Sequence, residues 1–367
     1  MAFSRGVFDA PEIEPTEFGL FAVANPNDHL TSANGEDWVR GFYQMYNTLP
    51  NYVRNWDETS NTSYVVSDDP ASPLYRELKP IFVEVEDFRS TFDRPSDDKF
   101  TRVLKQLEAV SQKALEYELW NGEIALAEGL PNMFLSQQGV EVIHNAASHG
   151  TAFSIRRALS LLEHYIGEMS PAGEHGILHL TRDAFTLLAS NNQAFMHAEG
   201  KDHIQTFSGT PVVIGSGYSG DGPHADINTI AVATGVATFT TVQDHYLKAG
   251  ETIKVTTNAG GTAFDGTWTV KAVTTTKAFT VDIATTNQSA TATPGNVQMQ
   301  GDDSTKWIYA TGRVDVLLGK SVVVNETLAQ GYGVSSNKND MRIKATRPAI
   351  AYFDPSIHLA VKVDLTA

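Results

Sequence analysis

The chain has 367 residues, 41% hydrophobic and 19% charged, which is globular material able to bury one large core or two to three smaller ones. Its formal net charge of −16 argues against sequence-specific DNA reading, which needs a basic stripe, but not against enclosing a polyanion. The absence of cysteine excludes disulfides, thiolate zinc sites and cysteine nucleophiles; no stretch approaches a membrane span, and the start Met1-Ala-Phe-Ser-Arg5 lacks a secretory apolar core.

Residues 1–36 are rich in Pro, Glu and Phe without a sustained period, and predict an extended arm whose Phe8, Phe18, Leu20 and Phe21 lie on neighbouring surfaces. A short helix is expected over 37–50, with Trp38, Phe42 and Tyr46 on one face and Pro50 as its stop. Residues 51–88 read as a long two-stranded loop. Turn signals stand at Asp68-Asp69-Pro70 and Ser72-Pro73, Tyr64-Val65-Val66 is β-prone, and 81–88 alternates as a strand.

The clearest helix covers 97–120. Ser96 is its expected N-cap, Asp97 and Asp98 suit its positive end, and Phe100, Val103, Leu104, Leu107, Val110, Ala114, Tyr117 and Trp120 form an apolar stripe. At about 36 Å it would act as a spine. A second helix is predicted over 151–169, then a strand over 176–180, a helix capped by Thr181 that ends near Asn191, and strands at 204–207 and 211–214.

Between Thr229 and Asn296 charge thins out, roughly a quarter of the residues are threonine and helical patterns stop. This reads as an all-β module inserted into a larger domain, with hairpin signals at Gly260-Gly261 and Asp265-Gly266. After it, 307–318 alternates as a strand pair or bent strand, and 341–353 and 357–365 close the chain. In the last, Ile357, Leu359, Val361, Val363 and Leu365 point one way.

Three motifs suggest chemistry. Gly215-Ser-Gly-Tyr-Ser-Gly220 matches a dinucleotide-binding glycine pattern, yet Asp221-Gly-Pro223-His-Ala follows with no helical period, so a flexible loop is the expectation. Gly319-Lys320-Ser321 lacks the first glycine of a phosphate loop, since Val314 stands there. The pairs His175/His179 and His144/His149 lack metal-helix geometry and read as structural histidines. No catalytic, cofactor or metal residue is assigned.

The order arm, two-stranded loop, spine helix, α/β domain and returning strands resembles the major capsid protein of tailed bacteriophages, notably those of actinobacteria. The stretches that carry it are Ala114-Leu-Glu-Tyr-Glu-Leu-Trp-Asn-Gly122, Gly176-Ile-Leu-His-Leu180, Thr210-Pro-Val-Val-Ile-Gly-Ser-Gly-Tyr218 and Trp307-Ile-Tyr-Ala-Thr-Gly-Arg-Val-Asp-Val316. The resemblance implies an α+β capsid fold with an N-terminal arm (1–36), a short helix (37–50) and an extended loop (51–88). It implies a peripheral domain with the spine helix (89–137), an axial domain (138–228, returning at 301–322), an inserted β-domain (229–300) and peripheral C-terminal strands (323–367). It further implies a homo-oligomer of hexamers and pentamers forming a shell around double-stranded DNA. That shell belongs to a virion assembled in the host bacterial cytoplasm, with no membrane and no cofactor.

Phe8, Phe18, Phe21, Tyr64, Trp120, Tyr218 and Trp307 are the candidate assembly residues. Some family members link subunits by a lysine–asparagine bond from the loop; here 57–73 holds no lysine and Lys79 sits at the base, so no covalent chainmail is expected. Met1 is retained and no long charged helical segment precedes the arm, so scaffolding would come from a separate protein; portal and decoration proteins are further expected partners. The insertion is expected either to project outward, touching equivalent copies or glycans, or to brace adjacent subunits. The alternatives are an encapsulin-like protein nanocompartment and, from another class, a nucleotide-dependent enzyme using Gly215–Gly220.

Overall fold

The computed structural model describes residues 16–24, 38, 41–45, 75–90, 99–145, 148–169, 176–190, 196–197, 203–257, 262–284, 288–292, 295–327 and 340–366. Phe8, Tyr64, the loop tip, the Ser96 cap, Gly260-Gly261 and His175 lie outside them. The fold is α+β, with an eight-stranded, a four-stranded and a two-stranded sheet, an inserted barrel and helices α1 (Leu20–Ala24), α2 (Lys99–Asn121), α3 (Glu123–Glu128), α4 (Ile155–Met169) and α5 (Arg182–Ser190). Among the described residues no helix is long and apolar enough to cross a membrane.

A four-stranded sheet is organised by the long strand Asp340–Phe353. Ile81–Ser90 runs antiparallel along one side of it, and Val322–Thr327 and Val314–Leu318 line the other. The alternation of 81–86 is read out as expected: Ile81 and Val83 are buried, whereas Phe82, Glu84 and Glu86 face out. Helix α2 packs on the buried face, where Val103 and Leu107 join Ile81, Val83, Ile343 and Ala345.

The eight-stranded sheet runs in the order Glu141–Ile143, His358–Asp364, Thr305–Thr311, Ile177–Thr181, Pro211–Gly215, Ile204–Gln205 and Met196–His197, with Phe153–Ser154 also pairing His358–Asp364. Helices α4 and α5 cover one face through Leu162, Ile166, Ala184 and Leu188, against Leu178, Leu180, Ile308 and Leu359. The opposite face, with Ile177, Val213, Tyr309 and Ala360, belongs to the core shared with α2. Strand His358–Asp364 is therefore covered on both sides, and Ala360 and Lys362 are buried along with the expected apolar face.

The insertion is a closed barrel. Strand His224–Ala233 pairs Val236–Thr241; the ladder passes through Ala278–Asp282, Gly266–Thr275, Thr252–Thr257 and Gly295–Met299, and returns to His224–Asp226. A seventh strand, Gln288–Ala292, lies along the first one at Thr229–Val232 and is the edge of this otherwise closed path. Ile230, Phe239, Ile253, Val270, Phe279 and Val281 fill the interior, with Phe239 and Phe279 stacked at 5.1 Å.

Several expectations are corrected. Residues 42–45 form a strand paired with Tyr75–Leu78 instead of a helix, because Gly41 at φ 92 breaks helical geometry and the partner strand supplies a ladder. The barrel starts at His224 and not at residue 229, its first strand continuing out of the host. The division at residue 322 also differs. Val314–Leu318 already lies in the four-stranded sheet, while His358–Asp364 returns to the eight-stranded one.

Candidate functional site

The two sheets, the arm and the barrel meet around the loop 215–222 and the C-terminal half of α2. The buried face of that half is Ser111, Gln112, Leu115, Glu116, Leu119 and Trp120, while Val110 and Tyr117 of the expected stripe are exposed, at 42% and 41%. Phe100, at the start of the stripe, is exposed too. The face turns because polar side chains on it find partners far along the chain.

Glu116 is the centre of this arrangement. Its Oε1 accepts from the Leu20 amide (2.9 Å) and Gln112 Nε2 (2.9 Å), and its Oε2 from the Gly217 amide (2.9 Å) and Ser216 Oγ (3.1 Å). Four donors saturate a carboxylate that has no solvent exposure, which is the condition for burying one. Gln112 also donates to the Thr16 carbonyl, so the arm is held at two points.

The loop glycines serve this contact. A Cβ on Gly217 would sit 2.5 Å from the Lys113 carbonyl oxygen, and one on Gly215 would meet the Tyr218 ring at 2.6 Å. The Gly217 amide that a pyrophosphate would need is held by Glu116, and the loop leads into a strand and not a helix. The expectation of a flexible loop is corrected: 215–222 is packed between α2 and strand Thr305–Thr311.

Next to the loop, Tyr218 Oη lies 2.8 Å from His179 Nδ1, and His179 Nε2 lies 2.9 Å from Thr311 Oγ1, which itself donates to the Gly312 carbonyl. The hydroxyl protons therefore place the imidazole proton on Nε2. Burial drives the His179 pKa down to about 3, helped by the nearby His358, and drives that of Tyr218 up. Both ring nitrogens are occupied, so His179 is a satisfied core histidine. Asp221 completes the junction: its carbonyl accepts from Trp120 Nε1 (3.1 Å) and Tyr309 Oη (3.0 Å), and its Oδ1 from the Gly301 amide (2.8 Å).

The candidate assembly residues divide accordingly. Trp120, Tyr218 and Trp307 are buried within the chain, Trp120 at 4.7 Å from the Tyr218 ring, so they hold the subunit together instead of meeting another one. Phe18 packs against the α4/α5 core and its carbonyl accepts from the Ile214 amide at 2.9 Å; Phe21 packs on the α2 core. Glu116, Gln112 and Asp221 were not singled out in the sequence. The one signal for Gln112 and Glu116 was the run of polar residues interrupting the helical stripe. Among the described residues no group of three or more His, Asp or Glu could hold a metal.

No family model matches the chain, and no curated protein matches it. Solved structures similar to it include the capsid of a native GTA particle, 9% identical, covering 99% of this chain and 95% of that one at a TM-score of 0.45. The structure of Mycobacterium phage Ogopogo is similar at 12% identity over 99% of this chain and 96% of that one, with a TM-score of 0.44. The holo-SrpI encapsulin complex from Synechococcus elongatus is similar at 11% identity over 80% of this chain and 77% of that one, with a TM-score of 0.36.

Proposed function

We propose that this chain is the structural subunit of an icosahedral bacteriophage capsid, assembling with copies of itself into hexamers and pentamers that form a shell around double-stranded DNA. The observation that carries the reading is the layout around α2. A 23-residue helix lies on a sheet made from the strand leaving the loop and strands returning near the C-terminus, while its far end meets a second sheet. This supports the spine, peripheral and axial arrangement implied by the ordered motifs of the sequence. In this reading α2 and the four-stranded sheet form the peripheral domain, and the eight-stranded sheet with α4 and α5 forms the axial domain, which carries the barrel.

Function then lies in repeated contacts between copies, and no reaction is assigned to the chain. The acidic subunit encloses DNA without gripping it, within a virion assembled in the host cytoplasm. A separate scaffolding protein, a portal and decoration proteins are its further partners. Since 57–73 holds no lysine, copies are held without a lysine–asparagine bond. Expression of the chain with its neighbouring genes, viewed by negative-stain microscopy, tests the reading. Icosahedral shells containing DNA are expected, shells filled with protein cargo would indicate a nanocompartment, and no shells at all would sink both.

A further inference from the structure

Where the barrel joins the rest of the chain, a cleft of about 750 Å³ separates helix α3 from the strands His224–Ala233, Gly295–Met299 and Thr252–Thr257. Alternation decides what these strands present to it. Ala225, Val255 and Val297 point into the barrel and are buried. Their neighbours stand on the outer face in two rows, because directly opposed residues share a face. His224, Gln298 and Lys254 form one row, and Asp226, Asn296 and Thr256 the other. From α3, across the cleft, come Ala127 and Leu126, the latter 40% exposed.

The first row is already committed. Gln298 Nε2 donates to Ser136 Oγ and the Gly222 carbonyl, and His224 Nδ1 lies 3.2 Å from Asn296 Oδ1. Lys254 reaches Glu123 Oε1 at 3.0 Å and ties the barrel to α3. The second row keeps capacity. Gln243 Nε2 takes Asp226 Oδ2 at 2.9 Å, which leaves Oδ1 as an acceptor. Beside it stand Asn296 Nδ2, a donor, and the Thr256 hydroxyl, which is both.

We propose that this cleft binds a neutral saccharide, whose hydroxyls bond the Asp226–Asn296–Thr256 row while its C–H face lies on Leu126 and Ala127.

Charge selects against the other small ligands. With Lys254 matched by Glu123, one carboxylate is left over, and burial keeps His224 neutral by driving its pKa down to about 4. A phosphate or sulfate would therefore meet charge of its own sign. Among the described residues no group of three or more His, Asp or Glu could hold a metal ion here. A wholly apolar ligand would strip water from the second row without replacing its bonds. A sugar hydroxyl both donates and accepts, so it satisfies Asp226 and Asn296 alike, and the ring's C–H groups suit the leucine and alanine wall. The volume falls in the range of small-molecule sites. The site does not depend on whether copies of the chain assemble into a shell.

Saturation-transfer difference NMR on the purified full chain tests the proposal, with maltose, cellobiose and N,N′-diacetylchitobiose as probes and inorganic phosphate as competitor. Saturable transfer to at least one disaccharide is expected, undiminished by phosphate. Ala127→Trp fills the cleft from an exposed helix position and should abolish the transfer. Asp226→Asn keeps an oxygen for Gln243 but turns the free acceptor into a donor, and should weaken binding about tenfold. It carries the test alone if the tryptophan variant does not fold. Lys271→Met, on the barrel but outside the cleft, should change nothing. No transfer from any of the three sugars, transfer that survives Ala127→Trp, affinity unchanged by Asp226→Asn, or displacement by phosphate would each overturn the proposal.

Discussion

The Gly217 amide donates to Glu116 Oε2 at 2.9 Å across 101 residues of sequence, and the other oxygen of that carboxylate takes the Leu20 amide 96 residues upstream. One buried side chain thus ties the arm and the loop to the spine helix.

Glu116→Gln replaces one acceptor oxygen by a donor facing amides or hydroxyls that already donate. It should cost about 2–3 kcal/mol, the penalty for unpaired buried donors. Urea unfolding of the purified chain would show it, together with faster proteolysis at the arm. An unchanged midpoint would mean that the carboxylate does not hold the junction.

Gly217→Ala pushes a methyl group into the Lys113 carbonyl, at 2.5 Å, and should reduce soluble yield and melting temperature. Titration of the unaltered chain with a nicotinamide dinucleotide should release no heat, because the loop amide is already engaged by Glu116. A saturable signal would revive the enzyme reading.

Burial holds His179, His224 and His245 at about 3, about 4 and about 4, against about 6.5 in an unfolded chain. As pH falls the unfolded state takes up protons first. Stability is full above about pH 6.5 and drops by on the order of 1 kcal/mol per imidazole for each pH unit below it, until the folded values are reached. Urea midpoints measured from about pH 7 down to about pH 4.5 should decline, and His179→Gln should flatten the slope while lowering the starting value. A flat profile in the unaltered chain contradicts the argument.

Lys362→Met leaves the Glu251 carboxylate with the Lys248 amide alone, and Glu251→Gln leaves the Lys362 ammonium with the Tyr246 and Gly150 carbonyls but no counter-charge; each should cost about 3–5 kcal/mol. Changing Lys362 to Met and Glu251 to Leu together should recover only part of that loss, since the Tyr246 and Gly150 carbonyls and the Lys248 amide then lose their partners. A double-mutant cycle reads the coupling directly, and additive losses would show that the pair does not act as a unit.

The Gly222 amide lies 2.9 Å from the Met299 carbonyl, so residues 224–298 can be excised and the ends rejoined through a short glycine link. The rest of the chain should fold after the excision, because Lys362, covered by 244–251 in the full chain, then meets water. Circular dichroism would report folding and negative-stain microscopy assembly. Shells built from the excised subunit would assign the barrel to display; a folded subunit that no longer assembles would make it a brace.

The first half of α2 was legible because Val103 and Leu107 are apolar at helical spacing and are buried. In the second half Trp120 of the expected stripe is buried, but Val110 and Tyr117 are exposed. Its buried face carries Ser111, Gln112 and Glu116 beside Leu115, Leu119 and Trp120, and the partners of Gln112 and Glu116, at Thr16, Leu20 and Gly217, are revealed by no local period. For the same reason Trp120, Tyr218 and Trp307 read as contact residues, since an aromatic looks alike in a core and at an interface. The Thr181 cap needed only its own neighbourhood, and its Oγ1 does accept from the Ala184 amide. Residues 42–45 depended on a partner strand some thirty residues later, which four residues of pattern do not encode.

The paired strands at the root of the barrel have a mechanical side. Because His224–Asp226 pairs with Asn296–Gln298, a pull on the barrel runs down two covalent strands at once, in the same direction. Tension is shared between two backbones, and the ladder between them carries no shear. A barrel mounted this way resists being torn from the rest of the chain.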